Sequence, residues 1–414
     1  MPVYSISSIK TLDRSRIFTR TAILLGVLFL LAPFWSFAIS LFLLFYRSWR
    51  LKEYKFLLFV ISLFWGLLAY TQFTETGDLS RVYKRIQFSD TLSIQGYIAF
   101  MLSGSKYILF DWANLLIYKV SGNIRLVSFF WIFLLYYSFF MGILHLLEYK
   151  KIGLSWKNMG GIIAASVFCF ILFTQVTEIM KQGVATAVFF YAYSCFLVGK
   201  RKRGIIIGLL SLGIHFSPLF LCPIFFAKSI GDKTLVLLML LSFGFRGFNL
   251  MTSVANVLSS TGLFPVLGSL AEQYEENLDH FFSSSATFFT LTFWLFVLAT
   301  CFVFWVVRPK DNTLVKAAMI MIIMLNLNYS VSHNFTRILN NMFPFYCMLF
   351  IELSGFKRNP DMRKLALAAF ITGTLTLNLR IAYERLAPDS SYPTQFMNNS
   401  IPQIMFSSAW AYWK

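Results

Sequence analysis

Residues 184–227 read VATAVFFYAYSCFLVGKRKRGIIIGLLSLGIHFSPLFLCPIFFA, two apolar runs joined by the tetrapeptide Lys200-Arg201-Lys202-Arg203. Both runs are apolar on every side, unlike the one-faced stripe of a helix that covers a soluble core. A very short basic link between two such runs marks a membrane hairpin whose turn stays in the cytoplasm. Within the second run, Ile214-His215-Phe216 leads into Ser217-Pro218. Proline disfavours helix in the residue before it, so this run is expected to break near His215 into two half-helices.

The whole chain repeats that pattern. Of 414 residues, 57% are hydrophobic and only 13% charged, with 48 Phe; a soluble domain carries about 25% charge. Together with a mean hydropathy of +0.67, this excludes a soluble globular enzyme and a disordered chain. Runs such as Ala22–Leu31 and Leu235–Leu241 lack the alternation of an outer-membrane barrel. The net charge of +18 would suggest nucleic acid in a soluble protein. Here the cations are confined to tracts between apolar runs, so no nucleic-acid partner is expected. Cys169, Cys195, Cys222, Cys301 and Cys347 stand singly in apolar runs with no CxxC, which supports neither a zinc site nor a disulfide framework.

The fold expected is an all-α polytopic integral membrane protein, residues 1–414 forming a single transmembrane domain with about 11–12 transmembrane helices. Apolar runs fall near 21–46, 56–73, 125–147, 158–176, 184–199, 204–227, 234–248, 285–307, 314–331, 338–355 and 365–380. Basic tracts at 47–55, 150–157, 200–203, 308–316 and 357–364 are assigned to the cytoplasm. The opposite side then receives an interfacial segment 74–124, a loop 249–284 and a tail 381–414. Parity of crossings requires the 204–227 run to count twice. The N-terminal run is harder to orient, because cations flank both its ends and Pro33 interrupts it. Basic residues precede it without a small-residue cleavage site, so it is read as an uncleaved helix.

Charged and polar groups at membrane depth are costly and mark function. Four clusters stand out. Arg81, Lys84 and Arg85 share one helical face, which suits a diphosphate or, for Lys84 and Arg85, lipid headgroups; nearby Asp78 is either a helix cap or a base. Gln175, Glu178 and Gln182 share another face, and Lys181 lies one turn after Glu178. His215 sits alone in an apolar run, as a packing residue or a general base. Asn326, Ser330, His333, Arg337 and Asn341 form the fourth stripe. Interhelical hydrogen bonding accounts for its asparagines, whereas Arg337 requires an anionic partner. No GxxxxGK[ST], HExxH, GxSxG or DxD motif occurs, which argues against an ATP-driven pump, a metalloprotease and a metal-bound sugar-nucleotide transferase.

Taken in order, these motifs resemble the EpsG-like/Wzy group of polysaccharide polymerases. Gly77, Asp78, Arg81 and Tyr83 match a motif that ends the second span. Lys181-Gln182-Gly183-Val184-Ala185 match a basic-Gln-small motif, with Lys181 where arginine is usual. His215 and Ser217 match His-x-Ser, and Arg337 matches a late arginine. The resemblance implies a GT-C-like, metal-independent membrane glycosyltransferase that uses no cofactor. It would sit in the bacterial inner membrane with its active face extracytoplasmic (periplasmic), transferring a growing glycan from undecaprenyl diphosphate to a second lipid-linked repeat unit. Implied partners are these undecaprenyl-diphosphate-linked glycans, membrane lipid and a chain-length regulator. On this reading Arg81, Lys181 and Arg337 bind diphosphate. His215, Asp78 or His333 is the base, and Tyr83, Glu178, Gln182 and Ser217 orient substrate. An O-antigen ligase, a lipid-linked oligosaccharide flippase and a small-solute transporter are the competing readings. The transporter would show an internal repeat, and none is evident.

Overall fold

The computed structural model describes residues 6–46, 48–71, 77–93, 107–171, 180–245, 285–328, 341–355 and 360–385, with short pieces at 95–96, 99 and 338–339. Every regular element among these residues is helical. That outcome follows from composition: without water to satisfy backbone groups, a chain this apolar closes its hydrogen bonds within each segment. In chain order the helices are α1 (Ile6–Leu31), α2 (Pro33–Tyr46), α3 (Leu51–Thr71), α4 (Gly77–Asp90), α5 (Ile108–Ser121), α6 (Arg125–Tyr149) and α7 (Trp156–Ala165). After them come α8 (Met180–Leu197), α9 (Arg201–Ile214), a 3-10 segment Ser217–Phe226, α10 (Asp232–Gly244), α11 (Ser285–Phe302), α12 (Thr313–Leu327), α13 (Phe343–Ser354) and α14 (Pro360–Arg385). Short π turns extend α7 through Phe170 and α11 through Val307.

The surface shows where lipid lies. Leu24, Leu209, Leu240 and Leu298 are more than half exposed on α1, α9, α10 and α11. So much exposed aliphatic surface is untenable in water, and the protein is a helical membrane protein. Among the described residues, α3 and α6 are long and apolar enough to cross a membrane unaided, whereas apolar helices such as Pro33–Tyr46, Thr313–Leu327 and Phe343–Ser354 are shorter. Runs expected as single spans are broken by proline, by π turns and at His215.

Two of these breaks resolve the topology. The expected span at 21–46 is instead a hairpin folded at Ala32–Pro33. Ser36 Oγ donates to the Leu25 carbonyl at 2.9 Å, and Phe18 stacks edge-on against Trp49, contacts impossible along one straight helix. Cations at both ends of this run therefore lie on the same side. The second break falls where Pro218 led us to expect it: α9 stops at Ile214 and His215 is extended. The 3-10 segment then returns, because the Ile230 carbonyl accepts from Lys316 Nζ at 2.8 Å. Lys316 begins α12 beside Thr313, which meets the hydroxyl of Tyr149. The 204–227 run thus traverses the bundle twice, and α10 supplies the third pass.

Cations from three tracts meet at that end. Lys150 pairs with Glu352 at 2.6 Å, Lys200 reaches Glu148 at 3.4 Å, and Lys316 pairs with Asp232 at 2.6 Å. Helices approach closely at glycine: a Cβ on Gly66 of α3 would lie 2.8 Å from the Phe129 carbonyl of α6. The 74–124 segment contributes α4 and α5. The 249–284 loop lies outside the described residues. The α14 helix runs through Arg385, into the segment expected as a tail from 381, and residues 386–414 lie outside the described residues.

Candidate functional site

At the end of the bundle opposite those cations, α5 collects side chains from four other elements. Its own anchors are polar and aromatic: Trp131 Nε1 of α6 donates to Asn114 Oδ1, and Phe110 stacks on Trp131 at 4.8 Å. Two ion pairs tie α4 to α5, Arg85 to Asp111 at 3.0 Å and Asp90 to Lys119. The α4 helix buries Leu79, Val82, Tyr83 and Ile86 and exposes Arg81 and Lys84, as its amphipathic pattern dictates.

The first turn of α5 is the meeting point. Lys181 Nζ lies 4.8 Å from the centre of the Tyr107 ring and 5.8 Å from that of Phe110. Such contacts hold a cation without neutralising it. The His215 imidazole lies flat on Tyr107, ring centres 4.6 Å apart, and is equally close to Phe216. Tyr107, Phe110 and Asp111 stand at i, i+3 and i+4, one helical face. That face gathers a lysine from α8, a histidine from the end of α9 and, through Asp111, an arginine from α4.

Local chemistry fixes the proton on His215. Its Nδ1 accepts the backbone N–H of Ser217 at 3.0 Å. A neutral imidazole accepting at one nitrogen carries its proton on the other, so Nε2 is the donor. The Ser217 hydroxyl is buried with no hydrogen-bond partner among the described residues, a cost of about 1–3 kcal/mol. A site that uses this hydroxyl to hold a ligand would account for that cost. Gln182 is buried in the first turn of α8. Tyr83 is also buried, and its hydroxyl donates to Ser128 Oγ at 3.0 Å. Burial pushes that phenol up to about 12, partly offset by Ser128. The contact makes Tyr83 a brace between α4 and α6.

The backbone places Asp78 in the first turn of α4. Glu178, His333 and Arg337 lie outside the described residues. Asn326 donates to Ser242 Oγ at 2.7 Å, the interhelical bond its sequence position suggested. Among the described residues no group of three or more His, Cys, Asp or Glu side chains is placed to hold a metal ion. Tyr107, Phe110 and Asp111 were not singled out as site residues by sequence, although their i, i+3, i+4 spacing beside the basic stretch 81–85 was the available signal.

A family model described as the EpsG family matches residues 56–386. No curated protein and no solved structure matches the chain.

Proposed function

Since the chain belongs to the EpsG family, whose members are Wzy-type polymerases, we propose that it joins undecaprenyl-diphosphate-linked repeat units into a surface polysaccharide, O-antigen or exopolysaccharide. One observation carries the siting of that chemistry: the first turn of α5 unites Lys181, His215 and the Arg85–Asp111 pair at one end of the bundle.

In the reaction, a hydroxyl on the non-reducing sugar of the incoming unit attacks the anomeric carbon of the growing glycan. The bond from that carbon to the diphosphate oxygen breaks, the hydroxyl proton passes to a base, and diphosphate leaves with its lipid. Charge builds on the leaving oxygens, where fixed cations and N–H donors act most strongly. Lys181 supplies an ammonium seated on aromatic rings, and Arg81 and Arg337 are assigned to the same diphosphate. His215, with its proton on Nε2, serves as a donor to the leaving group rather than as the base. Deprotonation is assigned to Asp78, and Gln182 and Ser217 orient substrate. These side chains provide the positive charge without a metal. The basic tracts at the other end of the bundle support a cytoplasmic orientation for that end and an extracytoplasmic site in the inner membrane, as in a GT-C-like enzyme.

The test is the surface polysaccharide profile of a strain lacking the chain, complemented with wild type or Lys181→Ala. A polymerase predicts loss of the ladder with single repeats still exported, restoration by wild type and poor restoration by the variant. An unchanged ladder in the deletion strain would overturn the reading. Absence of even a single attached repeat would point instead to a ligase or a flippase.

A further inference from the structure

At the basic end, a cavity of about 500 Å³ opens between α3, α6, α8, α9 and the turn at 152–154. Its volume is in the range of small-ligand sites. Among the described residues, Lys55, Lys200 and Arg203 line it against a single carboxylate, Glu148. Two of these cations are pre-placed. Lys200 Nζ lies 3.3 Å from His145 Nε2 and 3.4 Å from Glu148. An ammonium can only donate, so His145 is neutral here and steadies the lysine. Arg203 lies over the Tyr191 ring at 5.4 Å.

Leu51, Met141, Leu144, Ile152 and Leu154 give the wall an apolar side, beside Tyr137, Ser138 and Tyr191. From Arg203 the same face of α9 continues through Ile206 and Leu210, 61% and 47% exposed. A phosphate held by the cations would therefore send its acyl chains straight along an apolar track. A soluble phosphate has no use for that track. The cavity is also remote from the site at Tyr107. Trp131, which packs on Phe110 of that site, and His145 lie 14 residues apart on α6, roughly 21 Å at about 1.5 Å per residue.

We infer that this cavity is a binding site for the phosphate headgroup of an anionic membrane lipid, with Lys200, Arg203 and Lys55 as its ligands. Basic pockets between membrane helices on the cytoplasmic side recognise such headgroups. The inference is independent of the polymerase chemistry and needs only the membrane setting.

The experiment follows the Tm of the purified full chain, stripped of lipid in detergent, during titration with phosphatidylglycerol, phosphatidylcholine or inorganic phosphate. A saturable rise with phosphatidylglycerol alone is expected. Lys200→Gln/Arg203→Gln should raise the half-saturating concentration about tenfold or more, and Lys55→Gln, on an exposed position, should shift it in the same direction. Lys364→Gln, the same charge change at a side chain that is 73% exposed, should leave it unchanged. Equal response to phosphatidylcholine, no response to any probe, or an unaltered response in both cavity variants would each overturn the inference. If inorganic phosphate alone reproduces the full shift, a lipid is not the occupant.

Discussion

The imidazole of His215 lies on the phenol ring of Tyr107 with centres 4.6 Å apart and planes 12° from parallel. One residue ends α9 at its break, and the other immediately precedes α5. Lys181 approaches the same phenol ring. A single aromatic side chain therefore sets the spacing between the histidine and the lysine, and the position of α5 controls both.

Removing that ring should separate the two groups. Tyr107→Ala is expected to lower polymer yield several-fold, since stacking and cation–π contacts are each worth about 0.5–1.5 kcal/mol. Tyr107→Phe keeps both contacts and should retain most of the wild-type ladder. Equal yields from the two variants, scored by gel in the complemented strain, would detach Tyr107 from the site.

His215 tests a proton assignment. Its Nδ1 is committed to the Ser217 N–H, so the side chain offers Nε2–H. His215→Gln preserves an N–H donor and should keep measurable polymerisation. His215→Ala should lose roughly 10²–10³-fold, the cost of deleting one donor to a developing oxyanion. If Gln is as inactive as Ala while both proteins fold, the imidazole is acting as a base.

The α4–α5 ion pair is a structural matter with a functional consequence. Asp111 is buried while Arg85 is partly exposed. Arg85→Ala leaves a buried carboxylate without its guanidinium and should destabilise the purified protein by roughly 1–3 kcal/mol. Adding Asp111→Asn should recover part of the lost Tm. A double-mutant cycle with no coupling would show that the pair does not hold α5 in place.

What could be read in advance divides along physical lines. Helical content and membrane residence are properties of local composition, visible in any stretch such as 184–227. The break at His215 was visible because Pro218 acts on its neighbours. The hairpin at Ala32–Pro33 was not, since a proline inside an apolar run is equally consistent with a kink, and only the contact of Ser36 with Leu25 distinguishes the two. At the candidate site, His215 stood out as a polar group in an apolar run, and Lys181 as part of a polar cluster between two such runs. Asp111 did not, because its meaning depends on Arg85 reaching it from another helix.

Helix contact through glycine gives a second stability prediction. A Cβ at Gly66 would meet the Phe129 carbonyl oxygen at 2.8 Å and Phe133 at 3.0 Å. The first obstacle is backbone, which cannot rotate away. Gly66→Ala should therefore cost roughly 1–3 kcal/mol through separation of α3 from α6, outweighing the gain of about 1 kcal/mol in helix propensity. A Tm at or above wild type would mean that the two helices adjust freely.

Lys150 and Glu352 carry the same reasoning to the other end. Glu352 falls within the 338–355 apolar run, and it is buried with Lys150 Nζ at 2.6 Å. Lys150 also donates to the Asp311 carbonyl at 2.6 Å, so one ammonium joins α6, the 311 turn and α13. Lys150→Met should destabilise by about 3–5 kcal/mol, because it strands a buried charge. Glu352→Gln removes that charge and should rescue much of the loss when combined with Lys150→Met. This asymmetry separates a burden of burial from a lost attraction: if the double variant is as unstable as Lys150→Met alone, the stranded carboxylate is not the cause. The defect would then lie in the broken contact to Asp311, and α12, which starts just beyond it, should loosen first in hydrogen exchange.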